Sequence, residues 1–144
     1  MEGLPSDDLS IQNGIMVTRS ARFPLMIDPQ GQAISWIKRR EPDLLEKDFI
    51  ITINHPNLKE ALRLPLQDGY PLLIESIENE LDPLLDPLLE KQFIIKGKNK
   101  LIKLADQDMD FDDKFRLYMT SRLANPHFSP ELAAKTTIID FTVT

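Results

Sequence analysis

Short runs of residues that are apolar along their whole length are the feature that most constrains the fold of this chain. Such runs suit strands that other layers cover on both faces of a sheet. Strands are predicted at Phe23–Ile27, Phe49–Ile53 and Tyr70–Glu75, at the alternating segment Phe115–Thr120, and at the β-rich segment Thr136–Thr144. Helix-like stretches separate most of these strands. The pattern therefore predicts βαβ units, a largely parallel sheet and an α/β fold.

Capping residues and prolines indicate where the helices begin and end. Pro42 ends the first long helix, Gly69 follows the second, and Ser129 caps the last. The predicted helices are a short one after Ser10, Gln32–Glu41, the stretch from Asn57 to Gly69, a turn from Leu81 that becomes a short helix through Lys91, and Pro130–Lys135. Each lies between predicted strands or beside one.

A small β-hairpin is predicted between the third and fourth long strands. Phe93–Ile95 and Leu101–Leu104 are strand-like and flank the turn Lys96–Lys100. The following segment, Asp106–Asp110, has the spacing of a calcium loop, but the loop's glycine and bidentate glutamate are missing. We therefore predict an acidic surface loop there.

Composition limits the classes of partner and compartment. The chain has 144 residues, which suits one domain, and a net charge of −6, which argues against nucleic acid or an anionic membrane as its main partner. It has no cysteine, so disulfides and thiolate metal sites are excluded. Residues 1–8 are acidic and do not resemble a signal peptide. We expect no bound metal or cofactor.

The turn after the first strand is the candidate site of greatest interest. Nucleotide-binding folds hold phosphate at this turn, on backbone N–H groups at the start of the next helix. The turn reads Asp28-Pro29-Gln30-Gly31-Gln32-Ala33. A P-loop would end in Gly-Lys-Ser/Thr, where the lysine contacts phosphate and the hydroxyl binds magnesium. Gln32 is neutral and Ala33 has no hydroxyl, while Pro29 removes a backbone donor.

The third strand ends in a second incomplete feature. An ATPase of this architecture would have Asp-Glu there, one carboxylate for magnesium and one to activate water. This chain has Glu75-Ser76, which leaves only one carboxylate. Many strands of ordinary α/β domains also end in polar residues, so these two features alone are equally compatible with an ordinary α/β domain.

Longer motifs make the assignment specific. They are Gly3–Asp8, Ser10–Ile15, Arg22–Ala33 with Trp36–Lys38, Tyr70–Glu75, Glu80–Pro83, Phe115–Thr120, Asn125–Glu131 and Ile138–Thr144. In this order and over essentially the whole chain, the sequence resembles the fifth AAA+ module of axonemal dynein heavy chains. It departs from the family pattern at Phe23, often a tryptophan, and at Ala105, usually a glycine.

The resemblance implies a three-layer α/β sandwich with a mainly parallel five-stranded AAA+ sheet and a β-hairpin insertion. It implies that residues 1–144 form one large subdomain, without the helical small subdomain and strut that dynein modules also have. Its partners would be neighbouring AAA+ modules, with dynein intermediate and light chains and microtubules reached through the parent chain. ATP and magnesium would act in other modules, in the cytoskeleton of a cilium or flagellum.

Three functions remain open at this point. The first is a non-catalytic structural module that relays ring rearrangements to the stalk strut and linker. The second is a degenerate module that binds ATP or ADP without hydrolysis, and the third is an unrelated α/β interaction domain. Lys135, at the end of the last helix, is a candidate for a contact to the neighbouring module, although a lysine there also complements the helix dipole.

Overall fold

The centre of the protein, in the computed structural model, is a sheet of five parallel strands. The structure describes residues 22–78, 83–104, 106–123 and 128–141. In chain order the elements are β1 (Pro24–Ile27), α1 (Gln32–Arg40), α2 (Asp43–Glu46), β2 (Ile50–Thr52), α3 (Leu58–Asp68), β3 (Pro71–Glu75), a 3₁₀ turn (Pro83–Leu85), α4 (Asp86–Leu89), β4 (Phe93–Lys96), β5 (Asn99–Leu104), β6 (Gln107–Asp110), β7 (Arg116–Ser121), α5 (Pro130–Lys135) and β8 (Thr137–Asp140). The sheet order is β2-β3-β7-β1-β8.

The apolar runs form the middle of this sheet, as predicted. Leu25 of β1 pairs with Met119 of β7 and with Ile138 of β8, and the pairs are parallel. Successive residues of β3, Leu72 and Leu73, are both fully buried although they point to opposite faces. Both faces are therefore covered, which gives the three-layer α/β fold that the sequence predicted.

The helix boundaries follow the local signals closely. α1 ends at Arg40, before Pro42, and Gly69 ends α3 in the left-handed conformation with φ of 75°. The hydroxyl of Ser129 accepts a hydrogen bond from the backbone N–H of Leu132 at 3.2 Å, so the predicted cap of α5 is confirmed. The short helix α2 was not predicted.

The predicted hairpin supplies two strands, β4 and β5, of a three-stranded antiparallel sheet in the order β4-β5-β6. The prediction of a surface loop at Asp106–Asp110 was wrong, because this segment turns at Asp106 (φ 62°) and forms β6. Met109 lies opposite Ile102 in the ladder and is buried with it. That burial stabilises a strand whose acidic side chains remain exposed.

Several predictions lie outside the described residues. They concern the helix after Ser10, the turn at Ala105, the motif Asn125–His127 and the last residues, 142–144. Among the described residues, no helix is both long and apolar enough to cross a membrane.

Candidate functional site

The carboxyl ends of β1, β3 and β7 meet at one edge of the main sheet, which we call the carboxyl edge. The backbone N–H of Asp28, just after β1, donates to the carbonyl of Ser121 at 2.8 Å. The N–H of Ile77, after β3, donates to the carbonyl of Thr120 at 3.0 Å. The turn at residues 28–33 and the pair Glu75-Ser76 therefore lie at the same edge, on either side of β7.

Asp28 organises the turn before α1. The N–H of Gly31 donates to the Asp28 carbonyl at 3.3 Å, and Gly31 stands at the N-cap of α1 with φ of 77°. The Oδ2 atom of Asp28 accepts a hydrogen bond at 3.0 Å from the N–H of Ile34, in the first turn of α1. Asp28 is fully buried. Its carboxylate is thus held inside the protein, at the positive end of the helix.

This position matters because a helix N-terminus is also where a nucleotide phosphate binds. The first four N–H groups of a helix have no partner within it, and they attract anions. Asp28 accepts from two of these four groups, those of Gly31 and Ile34, through its carbonyl and its carboxylate. A phosphate charge placed ~4 Å from this carboxylate would meet a repulsion on the order of 4 kcal/mol at an effective dielectric constant of 20.

The loop is also shorter than a P-loop. In the motif G-x-x-x-x-G-K-[ST] the first glycine lies five residues before the second. Five residues before Gly31 is Met26, which is fully buried within β1 and pairs with Thr120. Only Asp28, Pro29 and Gln30 connect β1 to Gly31. The spacing was readable from the sequence, but it becomes informative only once the end of β1 is known.

The two residues after Gly31 differ in burial. Ala33 is fully buried against the core, whereas Gln32 is partly exposed at the start of α1. Ala33 also supplies no oxygen for magnesium.

The end of β3 has an unusual backbone. Glu75 is half-buried, and Ser76 is exposed with a left-handed φ of 62°, which non-glycine residues adopt infrequently. The hydroxyl of Ser76 is a poor general base, because an unperturbed serine does not accept a proton near neutral pH. No group of three or more His, Cys, Asp or Glu side chains among residues 22–78, 83–104, 106–123 and 128–141 could hold a metal ion.

Lys135 does not belong to the carboxyl edge. It ends α5, just before β8, whose first residue pairs with the first residue of β1 at the opposite, amino edge of the sheet. Its Nζ lies 3.2 Å from Asp86 Oδ1 and 4.0 Å from Glu90 Oε1. The hydrogen bond to Asp86 raises the pKa of Lys135. Its charge is thus paired within the chain, and the contact to a neighbouring module stays a prediction.

A cluster at the amino edge was missed by the sequence reasoning. The Glu41 carboxylate, just beyond α1, accepts hydrogen bonds from Arg116 Nε, from Arg116 Nη2 at 3.1 Å and from the Tyr118 hydroxyl at 3.0 Å. Burial raises the pKa of Tyr118. Burial opposes the charged form of Arg116, but the hydrogen bond and charge of Glu41 outweigh it and raise the pKa of Arg116. No local signal links residues 75 positions apart.

Comparison with known proteins gives the family. The model of a family described as the ATP-binding dynein motor region matches residues 1–144. The chain is 54% identical over 146 residues to the dynein gamma chain of the flagellar outer arm of Chlamydomonas reinhardtii, and 52% identical over 145 residues to dynein axonemal heavy chain 8 of Homo sapiens. All of this chain is covered in both alignments, but it spans only 3% of the length of those relatives.

Proposed function

The chain belongs to the ATP-binding dynein motor region family, and from that premise we propose that it is a non-catalytic structural module of an axonemal dynein heavy chain. The proposal places it in the fifth AAA+ position of the motor ring, where it relays rearrangements between neighbouring modules, the stalk strut and the linker. The ATP and magnesium that drive movement along microtubules would be bound by other modules.

One observation supports this proposal above the others. The carboxylate of Asp28 lies at the N-terminus of α1, where a nucleotide phosphate would have to bind. Phosphoryl transfer depends on electrostatic stabilisation by cations and backbone donors around the phosphate. The loop instead presents an anion to the helix and has neither the lysine nor the magnesium hydroxyl. Ser76 also replaces the residue that would activate water.

The names of the relatives support the cellular setting. They are flagellar and axonemal dynein chains, so we propose that this module works in the axoneme of a cilium or flagellum. Dynein intermediate and light chains would then be partners of the whole heavy chain rather than of this module alone.

A titration with magnesium and ATP or ADP tests the proposal. We expect no saturable binding below millimolar concentration, measured by isothermal titration calorimetry. Saturable micromolar binding without turnover would instead support the nucleotide-sensing alternative, and turnover would refute both.

A restoring variant tests why binding fails. Gln32→Lys combined with Ala33→Thr returns the two P-loop side chains but leaves the short loop and Asp28 unchanged. We expect this variant also to show no binding, because the phosphate position remains blocked. Micromolar binding by this variant alone would mean that the lost side chains, and not Asp28 or the loop length, disable the site. Circular dichroism provides the control for folding.

A further inference from the structure

We propose that α1 is clamped to β7 at both ends, by the backbone and carboxylate of Asp28 at its N-terminus and by the carboxylate of Glu41 at its C-terminus. The clamp connects the carboxyl edge of the sheet to the amino edge. Its use in relaying motion rests on the proposed function, whereas the clamp itself requires no nucleotide and can be tested without one.

The first attachment is at the N-terminus of α1. Asp28 Oδ2 accepts from the N–H of Ile34 in the first helical turn, and the N–H of Asp28 donates to Ser121, the last residue of β7. Because Asp28 is fully buried, water does not compete for these bonds. The first turn of α1 is therefore joined to the end of β7 through one residue.

The second attachment is at the C-terminus of α1. The N–H of Glu41 continues the helix by donating to the carbonyl of Ile37 at 2.8 Å. The carboxylate of the same residue accepts three hydrogen bonds from Arg116 and Tyr118, both in β7. Charge-assisted hydrogen bonds are the strong ones, and the planar guanidinium fixes their direction.

The two attachments are far enough apart to prevent tilting. α1 has nine residues, which corresponds to a length of roughly 14 Å at 1.5 Å per residue. Ala33, Trp36 and Ile37 bury the face of the helix between the two ends. Any tilt of α1 relative to β7 would therefore strain the hydrogen bonds of Asp28 at one end or those of Glu41 at the other.

In nucleotide-binding proteins, a phosphate accepts hydrogen bonds from the N-terminus of such a helix, and here Asp28 takes that role. A helix that binds phosphate at its N-terminus gains part of its stabilisation from the ligand, and it can respond when the ligand leaves. In this chain the equivalent bond comes from Asp28 and does not depend on a ligand. α1 and β7 would then move as one rigid body, and displacement at the amino edge would reach the carboxyl edge undiminished.

Amide hydrogen exchange of the Glu41→Gln variant tests this inference. Exchange of the α1 amides should accelerate by about tenfold along the whole helix, including Ile34 and Ser35, because one clamp is weakened while the sheet stays folded. The amides of β1 should accelerate less. Trp36 is the only tryptophan of the chain and lies in α1, so quenching of its fluorescence by acrylamide should rise in parallel.

The matched control is Glu60→Gln, which removes the same charge from an exposed pair with Arg63 on α3. It should leave exchange in α1 and quenching of Trp36 unchanged. Faster exchange confined to the last turn of α1 would overturn the clamp, because it would show only local fraying of the helix end. Equally faster exchange in α1 and β1 would also overturn it, because it would show a global loss of stability. If Glu41→Gln does not fold, Tyr118→Phe removes one bond of the three and should give a smaller change of the same pattern.

Discussion

Substitution of Gly69 by alanine should be among the most destabilising changes of a single methyl group in this protein. Gly69 ends α3 with φ of 75°, a conformation that costs an L residue roughly 1–2 kcal/mol. An added Cβ would lie 2.7 Å from Asp112 Oδ1 and 2.9 Å from Lys114 Cβ. Asp112 cannot easily yield, because its N–H donates to the carbonyl of Leu66 at 2.8 Å and its Oδ1 accepts from the N–H of Lys114.

The two costs add to a large total for Gly69→Ala. Overpacking of this kind costs about 1–3 kcal/mol, so we expect a total loss of roughly 2–5 kcal/mol. Gly97→Ala is the matched control, because Gly97 has φ of 63° but no atom within 4 Å of the added Cβ. It should lose only about 1–2 kcal/mol. Urea unfolding followed by the fluorescence of Trp36 measures both values. Equal losses in the two variants would refute the steric argument.

Two further predictions concern the cap of α5 and the amino-edge cluster. Ser129→Ala should lower the free energy of unfolding by about 1 kcal/mol, because the N–H of Leu132 loses its acceptor. The control Ser35→Ala, on the exposed side of α1, should change the free energy of unfolding by less than about 0.5 kcal/mol. Equal losses for the two variants in urea unfolding would contradict the cap. Tyr118→Phe should cost about 1–2 kcal/mol at pH 7, where the hydroxyl donates to Glu41. Burial raises the pKa of Tyr118 in the folded state, so its contribution is fully present below pH ~10 and declines at higher pH as the unfolded state loses the proton first. The difference between wild type and variant, measured in urea from pH 7 to 11, should shrink; a constant difference would contradict this.

Local patterns predicted much of the fold. β1 and β3 were recognisable because β1 and the first four residues of β3 are apolar throughout. The cap at Ser129 was recognisable because the capping rule connects residues three apart. β6 was missed because it has only one apolar residue, Met109, among polar ones, and the partner of Met109 is in another strand. Strand pairing of this kind is a non-local interaction that a short sequence window does not contain.

The sequence indicated which residues lie at the ends of the strands, but not the hydrogen bonds that those residues make. The sequence indicated a loop without the P-loop lysine and hydroxyl, and the structure brings this loop and Glu75 to one edge of the sheet. It did not indicate that the carboxylate of Asp28 turns inward and accepts from Ile34. Side-chain direction in a loop depends on burial, which only the assembled core determines. The Glu41–Arg116 pair was missed because the two residues are 75 positions apart in the sequence.

Whether the first turn of α1 responds to a nucleotide can be measured directly by NMR. In ¹⁵N-labelled protein titrated with magnesium and a non-hydrolysable ATP analogue, a bound phosphate would shift the amide signals of Gly31, Gln32 and Ile34. We expect no saturable shift of these signals up to millimolar concentration, because the carboxylate of Asp28 already accepts a hydrogen bond from this helix terminus. Saturable shifts at these amides at micromolar concentration, accompanied by a shift at Glu75, would contradict it.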